Sequence, residues 1–124
     1  MRTKSRTLTE QELEIMKVVW DLQTATVRDV YEVLLRRRKI AYTTVMTMMN
    51  ILGEKGYLKK RAEDKAHVYR PAQAKARVIR AMVQEFVARV FNGSAQPLLV
   101  QLIRDRRLSP QDLEKIGRAI KESA

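Results

Sequence analysis

Three four-residue patterns say where helices begin in this chain, and they constrain its fold more than any other feature. Thr9-x-x-Glu12 sets a hydroxyl and a carboxylate where each can accept a bond from the other's backbone amide, and Leu8 and Leu13 flank it as a hydrophobic staple. Thr26-x-x-Asp29 repeats the arrangement, and Ser109-Pro110-Gln111-Asp112 adds a proline at the first helical position, where its missing N–H is no loss. Behind each start, apolar residues recur at helical spacing. Leu13, Met16, Val19 and Trp20 mark the inward face of a first helix ending near Asp21. Val27, Val30, Tyr31, Leu34 and Leu35 mark a second that runs into Arg36-Arg37-Arg38-Lys39, and Leu113, Ile116 and Ile120 point inward from the last.

The stretch IAYTTVMTMMNILGEKGYL, residues 40–58, reads as a third helix from Thr43 to Lys55, stopped by Gly56. Val45, Met48, Met49 and Leu52 share one face. The opposite face carries Thr43, Thr44, Met46, Thr47 and Asn50, which are small, uncharged and rich in hydrogen-bonding groups. Such residues either cap and fill a helix start or meet a partner with donors and acceptors of its own. YLKKR, AEDKA and HVYRP follow: β-branched and aromatic residues alternate with cations about a turn until Pro71, the pattern of a short β-hairpin. From Ala74 to Phe91 apolar residues fall in pairs on a long helix stopped by Asn92-Gly93, with more apolar face than a lone helix can hide. A glycosylation pattern at Asn92-Gly93-Ser94 is coincidence in that helix-ending turn. Leu98, Leu99, Leu102 and Ile103 form a shorter helix after it.

Composition now narrows the function. With 25 Lys and Arg against 14 Asp and Glu, a net charge of +11, the chain calls for a polyanionic partner, nucleic acid first. Residues 1–71 hold 15 of the basic and 9 of the acidic side chains, so the basicity is shared between the two halves. No apolar run reaches the length of a membrane span and MRTKSRTLTE lacks a signal peptide's apolar stretch, so a cytoplasmic protein that does not enter a membrane is expected. Without cysteine, and with His67 the single histidine, no thiolate nucleophile, disulfide or thiolate- or histidine-based metal site can be built. Glu12, Asp29 and Asp112 are used as helix caps, which leaves no catalytic carboxylate pair; neither an enzyme nor a cofactor or metal is expected.

Three helices and a basic hairpin describe a mostly α protein, a winged helix-turn-helix whose third helix enters the DNA major groove while the hairpin rides on the backbone beside it. On that reading the threonine hydroxyls bond phosphates or base edges, and their methyls and Met46 pack on thymine methyls. The candidate DNA contacts are Arg28, Tyr42, Thr43, Thr44, Met46, Thr47 and Asn50, with Arg61, Lys65 and His67 from the hairpin. The run Arg36–Lys39 either complements a helix end or touches phosphate. Residues 1–71 form the expected DNA-binding domain, and residues 72–124 a three-helix dimerisation domain, marginal as a monomer, with Ile79, Met82, Val83, Phe86, Val90, Leu99, Leu102 and Ile103 at the interface.

LTEQELEIMKVVW, TVRDVYEVL, AYTTVMTMMNILGEKGYL, HVYRP and VFNGSAQPLLVQLIRDRRLSPQDLEKI, in this order from residue 7 to 121, resemble the penicillinase repressor family, the BlaI/MecI/CopY transcriptional regulators. The resemblance implies a homodimeric winged-helix repressor on double-stranded operator DNA with an inverted repeat, released by an inducing signal. Copper-responsive members carry C-terminal cysteine pairs, which this chain lacks. Members under β-lactam control are cut at an Asn-Phe bond in the dimerisation domain; Gln101-Leu102 stands there, so an inducing protease or receptor pathway is expected only as a class of partner. Two competing readings remain: an architectural protein that binds nucleic acid by charge alone, and a helical adaptor that uses the long helix's stripe.

Overall fold

A computed structural model describes residues 7–123. In chain order it contains α1 (Glu10–Leu22), α2 (Val27–Leu35), α3 (Tyr42–Glu54), β1 (Leu58–Glu63), β2 (Ala66–Pro71), α4 (Lys75–Phe91), α5 (Gln96–Arg104) and α6 (Pro110–Ser123). The helix starts follow from the caps. The Glu12 amide donates to Thr9 Oγ1 at 3.1 Å and the Thr9 amide to Glu12 Oε1 at 2.9 Å. Thr26 and Asp29 close the same box at 2.9 and 3.1 Å, and Ser109 and Asp112 close theirs at 3.0 Å in both directions. Gly56 and Gly93, at φ 87° and 88°, let the chain leave α3 and α4 through a conformation that strains any L side chain.

Two compact units divide the chain between Ile79 and Arg80, later than the boundary read from Pro71. In the first, Ile15, Met16 and Val19 of α1, Val30 and Leu34 of α2, and Val45, Met49 and Leu52 of α3 form a fully buried core. Ile15 and Val18 join it unforeseen, while Leu13 and Met48 are half-buried. Leu35, expected inward, is 46% exposed. Leu34 already fills the inward position of that turn, and its neighbour, about 100° round the helix, points away.

β1 and β2 pair antiparallel, with Lys60 opposite Tyr69 and Arg61 opposite Val68, around a turn at Asp64-Lys65 in which Asp64 has φ 55°. The α1–α2 linker contributes more than a connection. The Ala25 amide donates to the Tyr69 carbonyl at 2.9 Å and the Tyr69 amide to the Ala25 carbonyl at 2.8 Å, so β2 is paired on both sides at that point. Tyr57, Leu58 and Tyr69 bury the inner side of the wing, and the Trp20 indole N–H donates to the Gln73 carbonyl at 3.0 Å, tying the chain after β2 back to α1. The first unit is a winged helix-turn-helix.

The second unit has no core of its own: no side chain from Arg80 to Ser123 is buried. Ile116 and Ile120, expected inward, are 48% and 63% exposed, so among the described residues of this unit that face of α6 is left uncovered. Val83, Phe86 and Val90 of α4 and Leu99 and Val100 of α5 are exposed as well, and Phe86 meets the edge of Phe91 at 5.8 Å between ring centroids. Among the described residues, no helix is long and apolar enough to cross a membrane.

Candidate nucleic-acid interface

With Val45, Met49 and Leu52 buried, the helical repeat turns Thr43, Thr44, Met46, Thr47 and Asn50 to solvent, as their spacing requires. The start of α3 differs from those of α1, α2 and α6. Its N-cap is Ala41, no side chain caps it, and its first turn holds no acid. Thr43 and Thr44 therefore do not serve as its N-cap, and the partial positive charge of the helix end is left uncovered for an anion.

α3, the start of α2 and the wing enclose an open groove bordered by six of the ten candidate DNA contacts: Arg28, Tyr42, Met46, Asn50, Lys65 and His67. Lys60 adds a third cation beside Arg28 and Lys65, and among the described residues no carboxylate is in the groove's lining. Thr43, Thr44 and Thr47 lie outside its lining on the same exposed helix. Arg61 is not brought there. The pleat puts it with Lys59 and Arg70 on the opposite face of the wing, beside Thr24, where it pairs with Glu63 at 2.8 Å.

Packing orients two of the groove residues. The Arg28 guanidinium lies 5.8 Å from the centre of the Tyr42 ring, Tyr31 meets that ring edge-on at 5.4 Å, and Glu32 flanks Arg28 at 3.8 Å. The Tyr69 hydroxyl donates to Asn50 Oδ1 at 3.0 Å. Burial, with a smaller contribution from Tyr42, pushes the Tyr69 phenol above its ordinary pKa. In the run after α2, Arg38 pairs with Glu14 of α1 at 2.8 Å, which raises its pKa; α2's last turn holds no cation, so the run does not complement that helix end from within it.

Sequence reasoning missed a buried ion pair. Lys55 Nζ donates to both carboxylate oxygens of Glu12, at 2.8 and 3.1 Å, and to the Thr7 carbonyl at 3.2 Å, with the two side chains 9% and 6% exposed. Burial pushes the Glu12 carboxyl up, but the bonds from Lys55 and from the Thr9 amide outweigh it and leave the pKa below the ordinary 4.5. The pair joins the start of α1 to the end of α3 and so helps fix the attitude of the exposed helix. Glu12 was legible only as a cap; the partner 43 residues away carried no local signal. Among the described residues, no cluster of His, Cys, Asp and Glu could hold a metal ion.

Comparison with known proteins agrees with this geometry. A family profile described as penicillinase repressor matches residues 8–122. The transcriptional regulator BlaI of Mycobacterium tuberculosis is 31% identical over 117 residues, spanning 93% of this chain and 83% of the relative. The penicillinase repressor of Bacillus licheniformis is 24% identical over 115 residues, 93% of this chain and 90% of its own length. Among solved structures, the DNA-binding domain of the repressor BlaI superposes with a TM-score of 0.53 at 28% identity, covering 60% of this chain and 92% of that one. The B. licheniformis BlaI monomer in complex with the blaP half-operator gives 0.50 at 28% identity, covering 56% and 85%. By its profile and its relatives, this chain belongs to the penicillinase repressor family.

Proposed function

We propose that this chain is a cytoplasmic transcriptional repressor that occupies an operator inverted repeat as a homodimer and is released by an inducing signal. The observation that carries the proposal is the start of α3: uncapped, free of acids, faced with neutral hydroxyls, and set beside a groove bordered by Arg28, Lys60 and Lys65. A charge-only binder has no use for a neutral reading face, and cations around it suit backbone contact beside base readout. The relative bound to a half-operator supports the same assignment. The second unit, which has no buried side chain, is the dimerisation element, and a two-fold dimer presents its two α3 helices to half-sites spaced by whole duplex turns, about 10 bp or a multiple.

The test is a titration of a promoter fragment against scrambled DNA at moderate salt. The proposal expects a large specificity ratio, whereas an architectural binder gives a ratio near one. Thr47→Ala and Met46→Ala should leave the thermal melt nearly unchanged, since both side chains are exposed and alanine is a good helix former. Each should weaken operator binding by about 1–3 kcal/mol and relax preference at one or two positions of the half-site. Native binding by both variants to every site would remove the exposed face of α3 as the reader. Lys65→Ala, at the wing turn, should weaken binding to all sequences alike and reduce the steepness of the salt dependence by about one ion per site. A change confined to one base position would mean that Lys65 reads bases instead.

A further inference from the structure

Asn50 sits one helical turn beyond Met46 and two beyond Thr43, on the stripe that carries the hydroxyls, and it borders the groove from the wing side. An unrestrained asparagine in a major groove is a two-sided reader: its N–H₂ donates and its carbonyl accepts, the pairing that suits adenine. Here the carbonyl is engaged. The Tyr69 hydroxyl donates to Asn50 Oδ1 at 3.0 Å, while Tyr69 itself is 2% exposed. Its main chain is held by Ala25 on one side through bonds of 2.8 and 2.9 Å, and on the other side it stands opposite Lys60 in the hairpin register. A phenol held this firmly cannot follow a swinging amide; the amide is held by the phenol.

We propose that Tyr69 is a positioning residue that holds the Asn50 amide with its N–H₂ outward, so that Asn50 reads as a donor and selects a base whose major-groove edge offers acceptors. Guanine, with O6 and N7, and thymine, with O4, satisfy that edge; cytosine, which presents a donor there, does not. Adenine can accept through N7 alone and loses the second bond that makes it asparagine's usual partner. The tether also makes the wing strand and the recognition helix answer to one another, because the strand that carries Tyr69 is the one flanked on both sides.

The inference rests on the operator-binding reading, and the experiment keeps the two apart. The full-length parent, Tyr69→Phe, Asn50→Asp and Asn50→Ala are titrated against the native operator and against every single-base substitution of one half-site, beside thermal melts. The parent is expected to favour guanine or thymine at one position by about fivefold to tenfold. Tyr69→Phe keeps the ring and frees the amide, so adenine at that position should gain while the other positions keep their preferences. Asn50→Asp still accepts from Tyr69 but presents an acceptor to the groove, so preference there should move toward cytosine, whatever the phenylalanine variant does to folding. Asn50→Ala should flatten that position alone, and adding Tyr69→Phe to it should change nothing further. If the parent shows no specificity for any site, the operator reading fails and this one with it. If the parent is specific but Asn50→Asp weakens all sequences equally, Asn50 contacts phosphate and the inference is overturned. It is equally overturned if the parent's preference at the Asn50 position is cytosine, or if Tyr69→Phe leaves every preference as it was.

Discussion

Replacing Lys55 by methionine is expected to destabilise the first unit by about 3–5 kcal/mol, the cost of leaving a buried carboxylate without its counter-ion. Folded domains keep only about 5–15 kcal/mol in total, so this one change removes a large share of the margin. The loss should also reach α1 and α3 together, because Glu12 closes the Thr9 capping box and Lys55 is the C-cap of α3. A urea titration of the parent and Lys55→Met measures it directly. The double variant Glu12→Gln/Lys55→Met should recover much of the loss, since glutamine still caps at that position and no uncompensated charge remains. A single variant within about 1 kcal/mol of the parent would place the pair with ordinary surface contacts.

The same pair gives the pH dependence a sign. Glu12 has a lower pKa folded than unfolded, so the unfolded chain binds the extra proton first as pH falls. The stabilisation is therefore complete above the ordinary carboxylate value of 4.5 and is lost as pH drops through the lower folded value. The parent should show a steeper fall in stability on acidification than Glu12→Gln, and matching slopes would count against the pair as the cause.

Phe86→Asp is expected to abolish the proposed dimer at micromolar concentration. Phe86 is 40% exposed in the single chain and lies between Val83 and Val90, at 51% and 50%, on a helix whose apolar stripe is only partly covered within its own unit. Burying a phenylalanine contributes about 1.5–3 kcal/mol, and in a two-fold interface the loss is taken twice. Since about 1.4 kcal/mol is tenfold, dimer affinity should fall by at least about a hundredfold, more if the new carboxylates are buried unpaired. Sedimentation should show a dimer for the parent and a monomer for the variant. Operator affinity should drop toward that of a lone half-site, while the melt of the first unit stays in place. A parent that sediments as a folded monomer would remove the dimer, and a dimeric Phe86→Asp would move the interface elsewhere.

How much of this was legible beforehand divides by distance along the chain. The caps at Thr9, Thr26 and Ser109, the stops at Gly56 and Gly93, the hairpin turn and the solvent face of α3 depend on a few consecutive residues, whose backbone geometry and helical repeat fix who meets whom. All of these were readable from residue type and spacing. Where a local rule met a packing decision it misjudged: Leu35 fits an amphipathic stripe, yet Leu34 took the inward place.

Other features belong to the tertiary structure alone. Lys55 finds Glu12 across 43 residues, Tyr69 finds Asn50 across 19, and Trp20 finds Gln73 across 53. The Ala25 bridge to Tyr69 turns a linker into a strand partner, and the hairpin register sends Arg61 to the far face while Lys65 and His67 stay at the groove. Residue types and spacings determined that there would be a recognition helix, a wing and a long apolar stripe, because those are properties of the backbone and of periodicity. Which polar atoms are taken and which are left open at the groove was decided only when the helices and the wing packed, since a donor is committed by what folding brings within about 3 Å of it and not by its neighbours in the chain.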